Sequence, residues 1–315
     1  MKEILKLVEV SKLYYEQNLT QLEIAKKMKI SRPAVSKLLA EARMLGIVKI
    51  EIKSPIGTNA LLLDQLSMMF NLQGGVIVPS GFTGKKFDQQ VLISQAALYI
   101  DRILPSLQRV GIGWGYTIGC LVDELKPLKM GKYPKGIVCP VIGTAPSELK
   151  WYQSNELTRI FAEKTGYTPH YLHAPAFPTT LENKELFENT QEYREILQSW
   201  STLDAVILGL GVYPSVPDQA TAARFGNLLK ERKAVGMIAT YYYDEHGEFI
   251  ASPNDIVIRI PLEDLRRTRV ILVAGGSEEK LRSMRGVLKT GIITHLVIDD
   301  ATASELIQYG VEERG

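Results

Sequence analysis

The 315-residue sequence predicts an α/β protein: an N-terminal winged helix-turn-helix domain followed by a doubly wound α/β domain. Three observations predict it. Residues 20–45 carry the caps and apolar spacing of two short helices joined by a tight turn. Beyond residue 60, short Val/Ile-rich runs alternate with helical stretches. Three of those runs end in glycines, at the strand ends where open α/β sheets bind ligands. The predicted boundaries are 1–53 for the first domain, 54–59 for a linker and 60–315 for the second.

A first helix fits residues 2–17, with Ile4, Leu7, Val8 and Tyr14 or Tyr15 as candidate core. Thr20 and Glu23 have the spacing of a capping box at the start of the next helix. Ile24, Ala25 and Met28 form its apolar stripe, and Ala25 is small where two helices must cross closely. Lys29 falls at the turn position, commonly glycine, where a left-handed backbone would cost lysine ~1 kcal/mol. Ser31 then caps the recognition helix, and Pro33 is tolerated in its first turn. Val35, Leu38, Leu39 and Ala42 give one buried face. Gly46 fits the position just past the helix end. Ile47–Ile52 alternates as a short strand would, suggesting the wing.

Residues 1–53 hold 11 Lys/Arg and 6 Asp/Glu, a net of +5; the remainder hold 26 and 29, a net of −3. Positive charge is thus concentrated on the domain that would meet phosphates, and the expected partner is double-stranded operator DNA. Arg32, Ser36 and Lys37 are the candidate base-edge contacts, because the start of a recognition helix points into the major groove. Gln21, Lys26, Lys27, Arg43 and Lys49 are assigned to phosphates, and Ser31 and Pro33 to the same interface. The competing account is a small helical domain with a solvated basic face.

Composition excludes several classes. The chain is 45% hydrophobic, ample for a core. No apolar run reaches the ~18 residues of a membrane span. The run MKEILKLVEV carries acidic residues and no cleavage site, so it is not read as a signal peptide. Cys120 and Cys139 sit in apolar contexts and read as buried thiols, not as a disulfide or metal framework. A cytoplasmic protein without metal or cofactor is expected.

In the second domain, Leu61, Leu62, Leu66 and Met69 predict an amphipathic helix. The strand candidates are Gly75–Val78, Arg109–Ile112, Gly136–Val141, Ala205–Leu210, Val235–Ala239, Val270–Ala274 and His295–Ile298. Several are apolar on both faces, as buried parallel strands are. The first ligand-type end is Val110-Gly-Ile-Gly-Trp-Gly-Tyr-Thr-Ile-Gly119, where a helix starts near Thr117. Glycines let backbone approach a ligand, and free N–H groups at a helix start favour an anion. The run lacks the G-x-G-x-x-G spacing and has no acidic residue about 20 positions on in the usual context, which argues against a dinucleotide site. The second is Val273-Ala-Gly-Gly-Ser-Glu-Glu-Lys280: Gly275 and Gly276 end a strand, and Lys280 offers a point charge to a phosphate. The third is Leu208-Gly-Leu-Gly-Val-Tyr-Pro214. For each, a tight turn with no ligand is the competing account.

The whole chain resembles the SorC-type transcriptional regulators, often described together with DeoR-type regulators. The resemblance is carried by Leu13-Tyr-Tyr-Glu, Leu19-Thr-Gln, Ile30-Ser-Arg, Val35-Ser-Lys-Leu-Leu, Ala42-Arg, Gly46-Ile-Val, Gly113-Trp-Gly, Tyr243-Asp-Glu-His-Gly, Val273-Ala-Gly-Gly with Lys280, and Asp299-Asp-Ala-Thr-Ala. It implies a sugar-binding domain similar in fold to glucosamine-6-phosphate deaminase and ribose-5-phosphate isomerase. It also implies a dimer or tetramer that controls a sugar or polyol catabolic operon and responds to a phosphorylated sugar. By motif, Gly115, Tyr116 and Thr117, after Gly113, would form the phosphate loop. Gln153 and Asn155 would contact the sugar, and Lys280 would be a basic ligand-binding residue. Two departures stand out: Val141-Ile-Gly-Thr144 replaces a frequent Gly-Gly, and Met237 follows Gly236 where an acidic residue is frequent.

The expected function is therefore an effector-controlled regulator and not an enzyme. The alternative is a sugar-phosphate isomerase or deaminase-like enzyme fused to a DNA-binding domain, which rests on fold analogy alone. General acid/base chemistry needs a positioned pair. His170, His173, His246 and His295 read as structural or exposed. Asp299 and Asp300 fit helix capping better than catalysis.

Overall fold

The computed structural model describes residues 2–17, 19–48, 59–81, 85–126, 136–214, 224–275 and 278–312. The chain divides into two compact units, Met1–Ile56 and Gly57–Gly315. Lys49 and most of the predicted wing and linker, residues 49–58, lie outside the described residues, as does Gly276.

In the first unit α1 (Lys2–Ser11) continues into a π-helical turn over Lys12–Glu16. It is followed by α2 (Gln21–Met28) and α3 (Arg32–Met44). Val10, Leu13, Ile24, Ala25, Val35 and Leu39 form the core. Two expectations fail: Ile4 is 56% exposed and Val8 is only half-buried, and the buried apolar positions of the first helical stretch are Leu7, Val10 and Leu13. Their spacing of three is the face that meets α3; Ile4 belongs to the same sequence stripe but runs past the core.

The second unit opens with α4 (Ala60–Phe70), which buries Leu66. Leu62 packs against the core as predicted, but Leu61, also predicted on the inner face, is exposed, and Leu63 packs in its place. The remaining elements are β1 (Gly74–Val78), α5 (Lys85–Ile103), β2 (Arg109–Ile112), α6 (Tyr116–Glu124), β3 (Ile137–Pro140), α7 (Ser154–Thr165), β4 (Thr168–Pro169), α8 (Leu181–Glu188), α9 (Gln191–Trp200), β5 (Ala205–Gly209), β6 (Gly211–Val212), α10 (Leu228–Glu231), β7 (Gly236–Ile238), β8 (Tyr241–Tyr243), α11 (Leu262–Arg267), β9 (Arg269–Val273), α12 (Glu278–Lys289), β10 (His295–Asp299) and α13 (Asp300–Glu312).

Among the described residues, seven strands form one parallel sheet in the order β1-β10-β9-β5-β2-β3-β4. Successive strand residues point to opposite faces. Ala205, Ile207, Ile271, Val273 and Val297 therefore enter one core with residues of α5, α6 and α7. Val206, Leu208, Val270, Leu272, Leu296 and Ile298 enter the other, with α4, α9, α12 and α13. This two-sided burial is why the strands read as continuous apolar runs.

Val235–Ala239 departs from expectation. Its β7 segment pairs antiparallel with β6 and β8 in a separate three-stranded sheet. The turn into β8 places Ala239 and Thr240 at φ 46° and 62°. Arg259 Nη1 donates to the Thr240 carbonyl at 2.6 Å and to its hydroxyl at 2.9 Å, holding two residues that carry a Cβ in a conformation they disfavour.

Candidate functional site

The recognition helix is set by its own sequence. Thr20 Oγ1 accepts the Glu23 N–H at 3.3 Å, and the Thr20 N–H donates to Glu23 Oε2 at 2.7 Å. The Thr20 N–H, and with it the Thr20 hydroxyl, donate to the Glu23 carboxylate and hold it below its usual range. Lys29 adopts φ 54°, ψ 45°, and its N–H closes on the Ala25 and Lys26 carbonyls. Ser31 Oγ accepts the Ala34 N–H at 3.3 Å. Val35, Leu39 and Ala42 are buried; Arg32, Pro33, Ser36, Lys37 and Arg43 are exposed. At 100° per residue Arg32, Ser36 and Arg43 fall on one stripe of α3, with Pro33 and Lys37 on the adjacent one. Arg43 Nε bonds back to the Leu39 carbonyl at 3.4 Å. Gln21 is half-buried at the start of α2, and Lys26 and Lys27 are exposed in its last turn.

In the second unit the strand order locates the crevice. Omitting the edge strand β1, the order β4-β3-β2-β5-β9-β10 is the 3-2-1-4-5-6 order of a dinucleotide-type sheet. Its direction of travel reverses between β2 and β5, and open α/β sheets bind ligands beyond the strand ends at that reversal. The three glycine-bearing ends belong to β2, β5 and β9, which are neighbours in the sheet.

At β2 the Gly113 N–H continues the ladder to the Ile207 carbonyl at 3.0 Å. Gly115 then turns the chain at φ 114°, ψ 164°, and caps α6 without a side chain. Its own N–H is taken by the Trp151 carbonyl at 2.7 Å. The N–H groups of Tyr116 and Thr117 open the helix. The Tyr116 side chain packs edge-on to Trp151, with ring centroids 5.3 Å apart. A hydrogen bond with Cys120 holds its phenol above the usual range. Gly209, at the end of β5, lies against Thr117: a Cβ there would stand 3.8 Å from Thr117 Cβ and 3.6 Å from Ile118 Cγ1.

At β9 a Cβ on Gly275 would meet Leu92 of α5 at 3.3 Å. Lys280 is half-buried in the first turn of α12; burial pulls its ammonium below the usual lysine range, against the attraction of Asp299. Asp299 Oδ1 accepts the Thr302 N–H at 2.9 Å, the capping role expected of it. Asp300 Oδ1 accepts the Ser80 N–H at 2.9 Å and hydroxyl at 2.5 Å. Ser283, one turn beyond Lys280, donates to the Gly211 carbonyl at 2.7 Å and bonds the Tyr243 hydroxyl at 2.8 Å, tying α12 to the chain that leaves β5.

Beyond β3 a pocket of about 520 Å³ is lined by residues including Thr144, Asn155, His173 and Phe177. Trp114 reaches toward it, its ring 6.1 Å from Phe177 and 6.0 Å from Tyr152. Asn155 spans the Leu172 N–H (3.0 Å) and carbonyl (3.1 Å), and Gln153 Nε2 donates to the Ser147 carbonyl. Both amides thus support the wall. At the first sequence departure, Val141 is buried and Thr144 Oγ1 bonds Ser154 Oγ at 3.2 Å. At the second, a Cβ on Gly211 would stand 2.6 Å from Met237 Cγ. The Trp151 carbonyl and the Gly209 contact escaped sequence reading as site features, because each is a long-range approach with no local signature.

Cys139 is buried, and burial pushes its thiol up to about 12; Cys120 is half-buried rather than fully enclosed. Asp244 of the Tyr243-Asp-Glu-His-Gly segment accepts the His246 and Glu248 N–H groups, so that segment builds a turn. Among the described residues no group of three or more His, Cys, Asp or Glu side chains could hold a metal ion. Among them, too, no helix is long and apolar enough to cross a membrane.

The Sugar-bind family, described as "Putative sugar-binding domain", matches residues 54–308. The sorbitol operon regulator of Klebsiella pneumoniae is 29% identical over 314 residues, covering 96% of this chain and 97% of its own. The deoxyribonucleoside regulator of Bacillus subtilis is 30% identical over 313 residues, covering 95% and 96%. The crystal structure of full-length SorC from Klebsiella pneumoniae superposes with a TM-score of 0.71 at 28% identity, covering 98% of this chain and all of the other. With the Sugar-bind match over most of its length and full-length likeness to these regulators, the chain belongs to the SorC-type sugar-binding transcriptional regulators.

Proposed function

We propose that this regulator controls a carbohydrate or polyol catabolic operon and that a phosphorylated sugar or polyol, bound at the β2–β5–β9 crevice, sets its affinity for operator DNA. One observation carries the effector site: three glycine-bearing strand ends are adjacent at the sheet's reversal point, beside a helix start that no side chain caps. The N–H groups of Tyr116 and Thr117 form the cradle for the phosphate, with Gly113 and Gly115 shaping the loop that presents them. Lys280 adds a point charge beside Gly275, which follows β9; Gly276 is assigned to the same site from the sequence alone. Gln153 and Asn155 shape the sugar end, next to the Trp114 wall. On the DNA, Arg32, Ser36 and Lys37 read base edges, while Gln21, Ser31, Pro33 and Arg43 seat α3 against the backbone. The protein acts as a homo-oligomer on two half-sites related by its symmetry. Regulator names among its full-length relatives support this over an isomerase or deaminase.

Thermal unfolding against a panel of sugar and polyol phosphates, each beside its unphosphorylated parent, tests the sensor. A phosphorylated effector at 100 times its dissociation constant is expected to add ~2.7 kcal/mol. Stabilisation by the parent alone would refute the phosphate cradle. For the DNA face, Arg32→Ala is expected to cost about 1–3 kcal/mol of operator binding and relax specificity at one base pair. Unchanged affinity and specificity would displace α3 as the reading helix.

A further inference from the structure

The corner between β1 and α5 holds a carboxylate that the protein's own contacts leave half used. Asp88 lies in the first turn of α5, and its Oδ2 accepts the Gly81 N–H at 3.2 Å. Its Oδ1 is buried and has no hydrogen-bond partner among the described residues. An ionised carboxylate accepts at both oxygens, and burying one without a donor costs free energy that the loop contact does not return. A structural staple for Gly81 needs only Oδ2. The second oxygen has a use if a donor arrives from outside the chain.

The fold places Asp88 at the crevice. Leu92, one turn further along α5, is the side chain that lies against Gly275 at the end of β9. α5 and α6 both run from the strands' C-terminal edge, and Ser94 Oγ of α5 donates to Glu124 Oε1 of α6 at 3.0 Å. Each of these residues stands about nine positions from its helix start, so the first turns of the two helices are level. Both helices cover the same face of the sheet. Asp88 therefore flanks the end of β9 on the face where Thr117 flanks the end of β5.

The geometry points to Asp88 as a hydroxyl-accepting residue of the effector site, one that selects a polyhydroxylated body attached to the phosphate. This assignment rests on the phosphate-cradle reading above. It also gives the site its discrimination: backbone N–H groups recognise any phosphate, whereas a desolvated carboxylate rewards a hydroxyl at one position and is left unpaired by an analogue lacking it.

Isothermal titration of the full-length protein and of Asp88→Asn and Asp88→Ala tests it, with inorganic phosphate and a panel of pentose, hexose and polyol phosphates as probes. Both variants are expected to bind the best sugar or polyol phosphate at least ~10-fold more weakly, as the loss of a charged hydrogen bond implies. Inorganic phosphate should bind all three proteins within about twofold, since its contacts are at the loop. A deoxy analogue lacking the contacted hydroxyl should bind wild type and variants alike, a result that a purely structural role would not produce. Unchanged affinity of both variants for the sugar phosphate overturns the assignment, as does an equal loss for sugar phosphate and inorganic phosphate. A wild-type protein that binds inorganic phosphate but prefers no panel member overturns it while leaving the cradle standing. A wild-type protein that binds none of the probes overturns both. Thermal midpoints of the unliganded variants at or above wild type would confirm that Asp88 is not kept for the fold.

Discussion

Lys29 occupies backbone space that disfavours it. At φ 54° its Cβ crowds the following carbonyl, and it stays there because its N–H closes the end of α2. Lys29→Gly is expected to stabilise the first unit by about 0.5–1 kcal/mol. Urea unfolding checks this; a lower midpoint would show that the lysine side chain compensates its own strain. The strain was legible in sequence because cap, turn and helix start fall within a dozen residues. His295 was not legible in the same way. Its burial depends on β1 pairing with β10, and its ring packs toward Tyr99, nearly two hundred residues away in the chain. Burial, and secondarily Arg269, lower the imidazole from 6.5 to about 4, and Nδ1 lies 2.8 Å from Thr294 Oγ1. A folded-state value below the unfolded one means that the unfolded chain takes up the proton first as pH falls. The contribution, on the order of 3 kcal/mol, is therefore complete above pH 6.5 and is lost as pH drops to about 4. His295→Gln is expected to flatten the stability profile across that window. An unchanged slope in chemical denaturation at pH 4.5 and 6.5 would assign the acid sensitivity elsewhere.

Elements differ in how far their neighbours had to be known. β2 was read to the residue, and β5, β9 and β10 to within one, because burial on both faces leaves a continuous apolar run bounded by turns. Val235–Ala239 carries the same run but belongs to the antiparallel arm. What decides its partner is the turn at Ala239-Thr240, which has neither Gly nor Asn and is held by Arg259 from a distant loop. β4 is two residues long and ends in proline, too short for any periodicity to register. The junction from β2 to α6 shows the opposite case, a local signal with a local cause. Gly115 sits at φ 114°, ψ 164°, a region essentially reserved for glycine, and a Cβ there would meet nothing within 4 Å. Gly115→Ala is therefore expected to cost about 1–3 kcal/mol through backbone strain alone, without a clash. The protein can relieve that strain by rotating the loop, which misdirects the N–H groups of Tyr116 and Thr117. The expected signature is a modest fall in thermal midpoint with a much larger loss of stabilisation by phosphorylated compounds. Retention of the full ligand-induced shift would mean that the loop is not the cradle.

At the scale of the whole chain, sequence carries the division of labour in its charge. The net +5 of residues 1–53 and the net −3 of the rest assign the anionic polymer to one end. Sequence does not carry strand order. That β2, β5 and β9 are neighbours emerges only from the sheet, and it turns three weak glycine signals into one crevice. The proposed effector control places the crevice and α3 in one thermodynamic system. If the effector changes operator affinity by some factor, operator DNA must change effector affinity by the same factor, typically 5–150-fold for coupled sites. Operator binding is expected to fall steeply with salt because it neutralises phosphates, whereas effector binding inside the crevice should respond weakly. Both affinities must therefore be compared at one salt concentration. The measurement is a pair of titrations: operator affinity with and without saturating effector, and effector affinity with and without saturating operator. Equal factors different from one would establish that the effector acts on the DNA-binding unit. A factor of one in both titrations, with effector bound, would mean that the ligand and the operator occupy a common chain without acting on each other.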